Sequence, residues 1–210
     1  MLRIGVPTGL QLVTMALAEI ALLGMANGFG AAATAAYGAV NQVIAYVQFP
    51  AISITITVSI LGAQAIGAGR LDRLGAITRT GLLLNLALTG GLVVIGYATA
   101  PVLIGAFITD LEVAALTLGL LRIVLWSMVP FGMAGVFSGT MRASGTVLMP
   151  TALSILAILL VEVPVGWLMS GWIGVAGVWI ACPAAFTAML ALQAGFYLLV
   201  WRNRPIARLI

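Results

Sequence analysis

The sequence predicts an all-α fold: a polytopic membrane protein forming one six-helix transmembrane bundle over residues 1–210. Three observations predict it. Of the 210 residues, 63% are hydrophobic and 7% are charged, and the mean hydropathy is +1.22, which no ordinary soluble domain reaches. The apolar runs are long and continuous, whereas a transmembrane barrel would show short alternating segments. The basic residues, all arginine, sit almost entirely beside alternate connections between those runs, the distribution expected of an even number of spans.

The spans follow in order. The first, about 4–27, contains Pro7–Asn27, long enough to cross a hydrocarbon core of about 30 Å as a helix. Its apolar run exceeds that of a cleavable signal, and no small-residue cleavage pattern precedes the next span. Gly28-Phe29-Gly30 breaks it. The second, about 32–66, is unusually long and carries Pro50, where a missing donor and a ring clash predict a kink. Gly67 and Gly69 suit its C-terminus. The third, about 74–100, is closed by Pro101. The fourth, about 112–142, holds Pro130 as a second expected kink. The fifth, about 150–169, contains Pro164. The sixth, about 175–201, runs into the polar tail Arg202-Asn203-Arg204-Pro205. No soluble domain, low-complexity linker or strand-like segment is visible.

With six spans, Arg3, Arg70, Arg73, Arg79, Arg142, Arg202, Arg204 and Arg208 fall on one side. The opposite connections hold Asp110 and Glu112 but no base. The positive-inside rule then predicts both termini in the cytoplasm, and the expected location is the cell inner (plasma) membrane. Arg122 alone breaks the pattern, in the fourth span toward the outer side. The net charge of +4 does not imply a nucleic-acid partner, because the arginines are scattered at span ends rather than massed on one face.

Glu19 is the ionised residue of the first span. A carboxylate at bilayer depth costs on the order of 2.5–3.5 kcal/mol and usually faces a bundle interior or a wet cavity. Glu19 is therefore the leading functional candidate. The alternative is an acid near the helix end that reaches the interface or pairs with an arginine, but glutamate is too short to reach out from mid-helix. In span two, Tyr37, Asn41, Gln48, Thr55 and Ser59 recur at spacings that share one helical face. This polar stripe reads equally as a cavity wall or as hydrogen-bonding between helices. With Gln11, the residues Tyr37, Asn41 and Gln48 are expected to contribute oxygen and amide contacts around Glu19. Thr78, Asn85 and Thr89 make a shorter stripe in span three, read as packing. Glu162 precedes Pro164, whose freed carbonyl would admit water. The preferred reading of Glu162 is a structural ion pair with Arg122. Met15, Met128 and Met133 read as packing or soft cavity walls, and Trp126, Trp167 and Trp172 as interface anchors or walls.

The missing chemistry narrows the function. The chain has no His, so no Ser–His couple exists. Its single cysteine, Cys182, and dispersed acids offer neither a disulfide framework nor a catalytic metal site. No G-x-x-x-x-G-K phosphate loop occurs. The chain is expected not to be an enzyme and to need no cofactor.

Several segments resemble a known family. They are Leu2-Arg3-Ile4-Gly5-Val6-Pro7, Leu61–Arg70 (LGAQAIGAGR), Ser138–Gly145 (SGTMRASG) with Pro150, and Gly174-Val175-Ala176-Gly177-Val178-Trp179. Their order and spacing resemble the multidrug and toxic compound extrusion (MATE) transporters across essentially the whole chain. The resemblance implies twelve spans in two six-helix lobes around a central cavity, and export of drugs or organic cations in exchange for Na+ or H+. This chain resembles one lobe, the second more than the first. Glu19 matches by position the acid that serves cation coupling or substrate binding in many second lobes. The chain also departs from the family. Some members carry an Asp in the fourth span, at a place that falls near Phe131 here, with no acid nearby. The resemblance thus carries over no sodium site built from two such acids.

The expected partners are a small-molecule organic cation or drug, the lipid bilayer and a second six-helix lobe, since alternating access works between two repeats around a midplane site. One rival is a lipid-linked oligosaccharide flippase of the same superfamily, whose cavity would be expected to carry more cationic residues. The other is a channel subunit or non-transporting scaffold. A scaffold has no need of Glu19, and a channel would more naturally show rings of like residues.

Overall fold

Six helices long and apolar enough to cross a membrane make up the fold. The computed structural model describes residues 2–203, apart from the side chains of residues 2–4 and residue 107. The first three spans are α1 (Leu2–Asn27), α2 (Ala31–Gly67) and α3 (Arg73–Phe107). The fourth combines α4 (Leu111–Val124), a 3-10 turn (Leu125–Ser127) and α5 (Met128–Ala143). The fifth combines α6 (Leu148–Ala157), a π turn (Ile158–Glu162) and α7 (Val163–Ile173). The sixth is α8 (Val175–Phe196) ending in a second π turn (Tyr197–Trp201). The described residues contain no strand. The chain is an all-helical, multi-pass membrane protein.

The connections show why the helices end where they do. After α2 the Gly69 N–H bonds to the Ile66 carbonyl at 3.0 Å and the Arg70 N–H to the Ala65 carbonyl at 2.8 Å. That closure needs a left-handed residue at its turn, and Gly69 supplies it with φ +73°. Asp110 starts α4 by accepting at Oδ1 from the Glu112 and Val113 amides, at 2.8 and 3.2 Å. Such short turns make successive spans run up and down. Arg70, Arg73, Arg142 and Arg202 then gather at one end of the bundle and Asp110 at the other. Arg204, Pro205 and Arg208 lie outside the described residues, as does the Arg3 side chain.

The centre of the bundle is apolar. Leu22, Tyr37, Val40, Leu121, Met128 and Trp179 belong to one buried cluster joining spans one, two, four and six. Polar side chains tie the remaining faces together. Thr78 Oγ1 lies 3.0 Å from Thr140 Oγ1, Asn85 Nδ2 donates to the Val129 carbonyl at 3.2 Å, and Thr89 donates to Asn85 Oδ1 at 2.9 Å. The whole span-three stripe therefore serves helix packing. Outward faces carry exposed Leu17, Ile20, Val102, Leu160 and Leu199.

Prolines act differently from the sequence expectation in two places. Span three does not close at Pro101; α3 continues through it to Phe107. The ring removes one donor, and membrane helices tolerate that where neighbours accommodate the freed carbonyl. In span four the irregular turn falls at Leu125–Ser127, before Pro130 rather than at it, because a proline ring disturbs the turn that precedes it. Span two remains helical through Pro50.

Candidate functional site

Span two sets the geometry of a polar recess inside the bundle. Tyr37, Asn41 and Gln48 all border a cavity of about 330 Å³. Spacings of four and seven residues bring them to one side of α2. Further along that stripe, Thr55 turns to packing instead. A β-carbon added at Gly139 would stand 2.6 Å from the Thr55 carbonyl oxygen, so only glycine lets α2 and α5 approach this closely. One stripe thus divides into a cavity wall and a packing seam.

Glu19 reaches the same cavity from α1. Its Oε1 accepts from Asn41 Nδ2 at 3.2 Å. Its backbone carbonyl accepts from the Tyr37 hydroxyl at 3.4 Å. Tyr37 is itself held by Trp179, with ring centroids 4.8 Å apart and a tilt of 40°. Trp179 is almost fully buried, so a rigid aromatic pair backs the carboxylate. The Glu19 side chain remains exposed, at the mouth of the cavity.

Glu162 also borders the cavity. Here the structure corrects the sequence reading. Among the described residues Glu162 and Arg122 form no ion pair. Arg122 is exposed, while Glu162 is only 8% exposed and approaches the Cys182 thiol, whose Sγ lies 3.9 Å from Oε1. The cause is local. Pro164 has no N–H, and the turn before α7 widens, with the Val163 N–H bonding five residues back to the Ile158 carbonyl. The resulting turn borders the cavity with Ile158 and Glu162.

Gln11 is the second correction. It does not border the cavity; its Oε1 accepts from Arg142 Nη2 at 2.6 Å. Gln11 lies two turns from Glu19 on α1, toward the arginine end, where a half-buried guanidinium claims it. Met15 and Met128 do line the cavity, and Met133 does not. Cys182, Phe186 and Met189 form a wall that sequence reasoning missed. Their spacing of four and three marks one face of α8, but an apolar stripe of that kind is indistinguishable in sequence from core packing.

The cavity therefore holds two carboxylates, a phenol and two amides among apolar walls, and no arginine. Such a lining attracts cations and repels anions. The described residues contain no group of three or more His, Cys, Asp or Glu positioned to hold a metal ion.

This fold and cavity define a six-helix lobe of the membrane-transporter type. The MatE family model matches residues 7–168, and the chain belongs to that family. It is 46% identical over its full length to a probable multidrug resistance protein of Bacillus subtilis, YoeA, of which it covers 46%. A second Bacillus subtilis protein, YpnP, also a probable multidrug resistance protein, is 25% identical over 88% of this chain and 42% of its own length. Among solved structures, the MATE transporter VcmN of Vibrio cholerae superposes with a TM-score of 0.90 at 18% identity, over 98% of this chain and 47% of that one. The chain spans about half the length of the curated relatives it matches.

Proposed function

We propose that this chain is one lobe, the second, of a two-lobe antiporter that exports organic cations or drugs in exchange for Na+ or H+. The observation that carries the reading is the placement of Glu19 at the mouth of a cavity with no base, oriented by Asn41 and backed by Tyr37. Exchange requires that two solutes compete for one site while favouring different conformations. A single carboxylate meets the first requirement: a proton or Na+ occupies it, or an organic cation does. The family membership, and the multidrug resistance role described for the relatives, support efflux as the direction. The acidic cavity is unsuited to the anionic head of a lipid-linked oligosaccharide, so the flippase reading is not favoured.

The rest of the reading concerns surroundings. The exposed carboxylate and the half-open cavity suit closure by a second six-helix lobe, carried by the same longer chain or by another copy. The arginine end suits the cytoplasmic face of a plasma membrane. The deciding experiment substitutes Glu19→Gln in the complete two-lobe protein. Ion-coupled export of cationic dyes is expected to be lost while expression persists, and Glu19→Asp is expected to retain part of it. Undiminished export against a gradient in Glu19→Gln would move the coupling site elsewhere.

A further inference from the structure

Glu162 is a charge that the proposed role of Glu19 leaves unused. More than nine-tenths of it is buried, yet it borders the cavity. Its one hydrogen-bonding contact is the Cys182 thiol at 3.9 Å, and a thiol is a weak donor. No backbone amide, side-chain amide or arginine satisfies the carboxylate among the described residues. Buried acids are normally paired with a cation or several strong donors. The described residues supply neither, and the uncompensated carboxylate opens onto a space of about 330 Å³, the lower end of the range for small-molecule sites. A cation entering the cavity would compensate the ionised carboxylate, as a proton does when the cavity is empty.

We propose that Glu162 is a second anionic anchor of the cavity, and that Glu19 and Glu162 together select organic dications over monocations of the same shape. The inference rests on the reading of Glu19 as a cation site and adds the charge number of the preferred substrate. The two acids come from different elements, α1 and the π turn of span five, and line one cavity, so a single ligand with two positive centres can meet both. The cavity wall suits a flat organic cation: Phe186, which packs on Phe131 with ring centroids 5.1 Å apart, borders the cavity, Met128 and Met189 add polarizable sulfur, and an aromatic face attracts positive charge. A monocation would leave one carboxylate uncompensated.

Two rigid probes of nearly matched shape make the test. N,N′-dimethyl-4,4′-bipyridinium carries two positive charges and N-methyl-4-phenylpyridinium carries one. Their binding to the complete two-lobe protein is measured by titration calorimetry in detergent, at mildly alkaline pH and low salt. The dication is expected to bind about tenfold more tightly or better, where each tenfold is 1.4 kcal/mol. Glu162→Gln should bring the ratio of the two affinities close to one, and Glu162→Asp should keep part of the preference. Glu19→Gln should weaken both probes. Equal affinity for the two probes in the unmodified protein overturns the proposal whether or not Glu162→Gln folds. So does an unchanged ratio in Glu162→Gln; if Glu19→Gln still loses both probes, the Glu19 reading survives on its own. Full binding of both probes by Glu19→Gln overturns both readings together.

Discussion

Among the described residues, Asn41 is the side chain that donates to the Glu19 carboxylate, at 3.2 Å. Hydrogen bonds to charged groups contribute about 1.5–3 kcal/mol when sheltered, and less at an exposed position such as this. Asn41→Leu removes the donor and keeps the branched shape. It is expected to weaken binding of a cationic dye by roughly threefold to tenfold, read from a fluorescence titration of the two-lobe protein. Tyr37→Phe is the control. The Tyr37 hydroxyl donates to the Glu19 backbone carbonyl, at 3.4 Å, and lies beside the Asn41 side chain rather than on the carboxylate, while its ring stays held by Trp179, so affinity should fall less than in Asn41→Leu. The opposite order would mean that the phenol, not the amide, orients the site. Gln11 teaches the complementary lesson. It shares a helix with Glu19 but serves Arg142, because a half-buried guanidinium needs an acceptor more than the cavity needs another amide.

At the scale of elements, the fourth span is held open by a side chain from the third. In a regular helix the Trp126 amide would bond to the Arg122 carbonyl. Instead the Tyr97 hydroxyl donates to the Arg122 carbonyl at 3.0 Å and accepts from the Trp126 amide at 3.2 Å. A hydroxyl inserted into the ladder is a recognised cause of helix irregularity, and it acts together with Pro130 at the 3-10 turn Leu125–Ser127. The cavity residue Met128 follows at once, so the wedge helps set the phase of the cavity wall. Tyr97→Phe leaves two backbone groups without their partner. It is expected to destabilise the fold by about 1–3 kcal/mol, seen as a lower unfolding temperature in detergent. An unchanged unfolding temperature would show that the ladder simply closes. The π turn at Ile158–Glu162 has the same kind of effect, since one extra residue rotates everything beyond it by about 100°.

The whole bundle presents two unlike ends and an unclosed side. Arg70, Arg73, Arg142 and Arg202 gather at one end, and Asp110 and Glu112 at the other. Single cysteines introduced into a Cys182→Ser background test the proposed orientation. Those at Gly28, Asp110 and Gly171 are expected to react with an impermeant thiol reagent applied to intact cells. Those at Asp72, Ser144 and Asn203 are expected to react only after permeabilisation. Labelling of the Asp72 position from outside would invert the orientation. The unclosed side is where Glu19 stays exposed, together with much of the apolar surface of α1, including Leu12, Leu17 and Ile20. A second lobe is the proposed cover for the cavity mouth, and lipid for the outer faces.

The sequence by itself determined the class, the number of spans and half of the cavity. Span membership depends on local apolarity over about 20 residues, which is written in the chain without reference to anything distant. The phase within one unbroken helix is equally local, so Tyr37, Asn41 and Gln48 could be seen to share a face, and Glu19 stood out as an acid among apolar residues. Only the tertiary structure decided which faces meet. Periodicity fixes angles within a helix, but the rotation of one helix against another is set by packing. That is why Gln11 was assigned to the cavity and belongs to Arg142, and why Cys182, Phe186 and Met189 passed for core. Glu162 was further obscured by the π turn, which shifts the helical phase at the very residue in question. Its cavity position depends on that turn, on the adjacent Pro164 and on the thiol of a span that follows it in sequence, three features that no single-helix pattern joins.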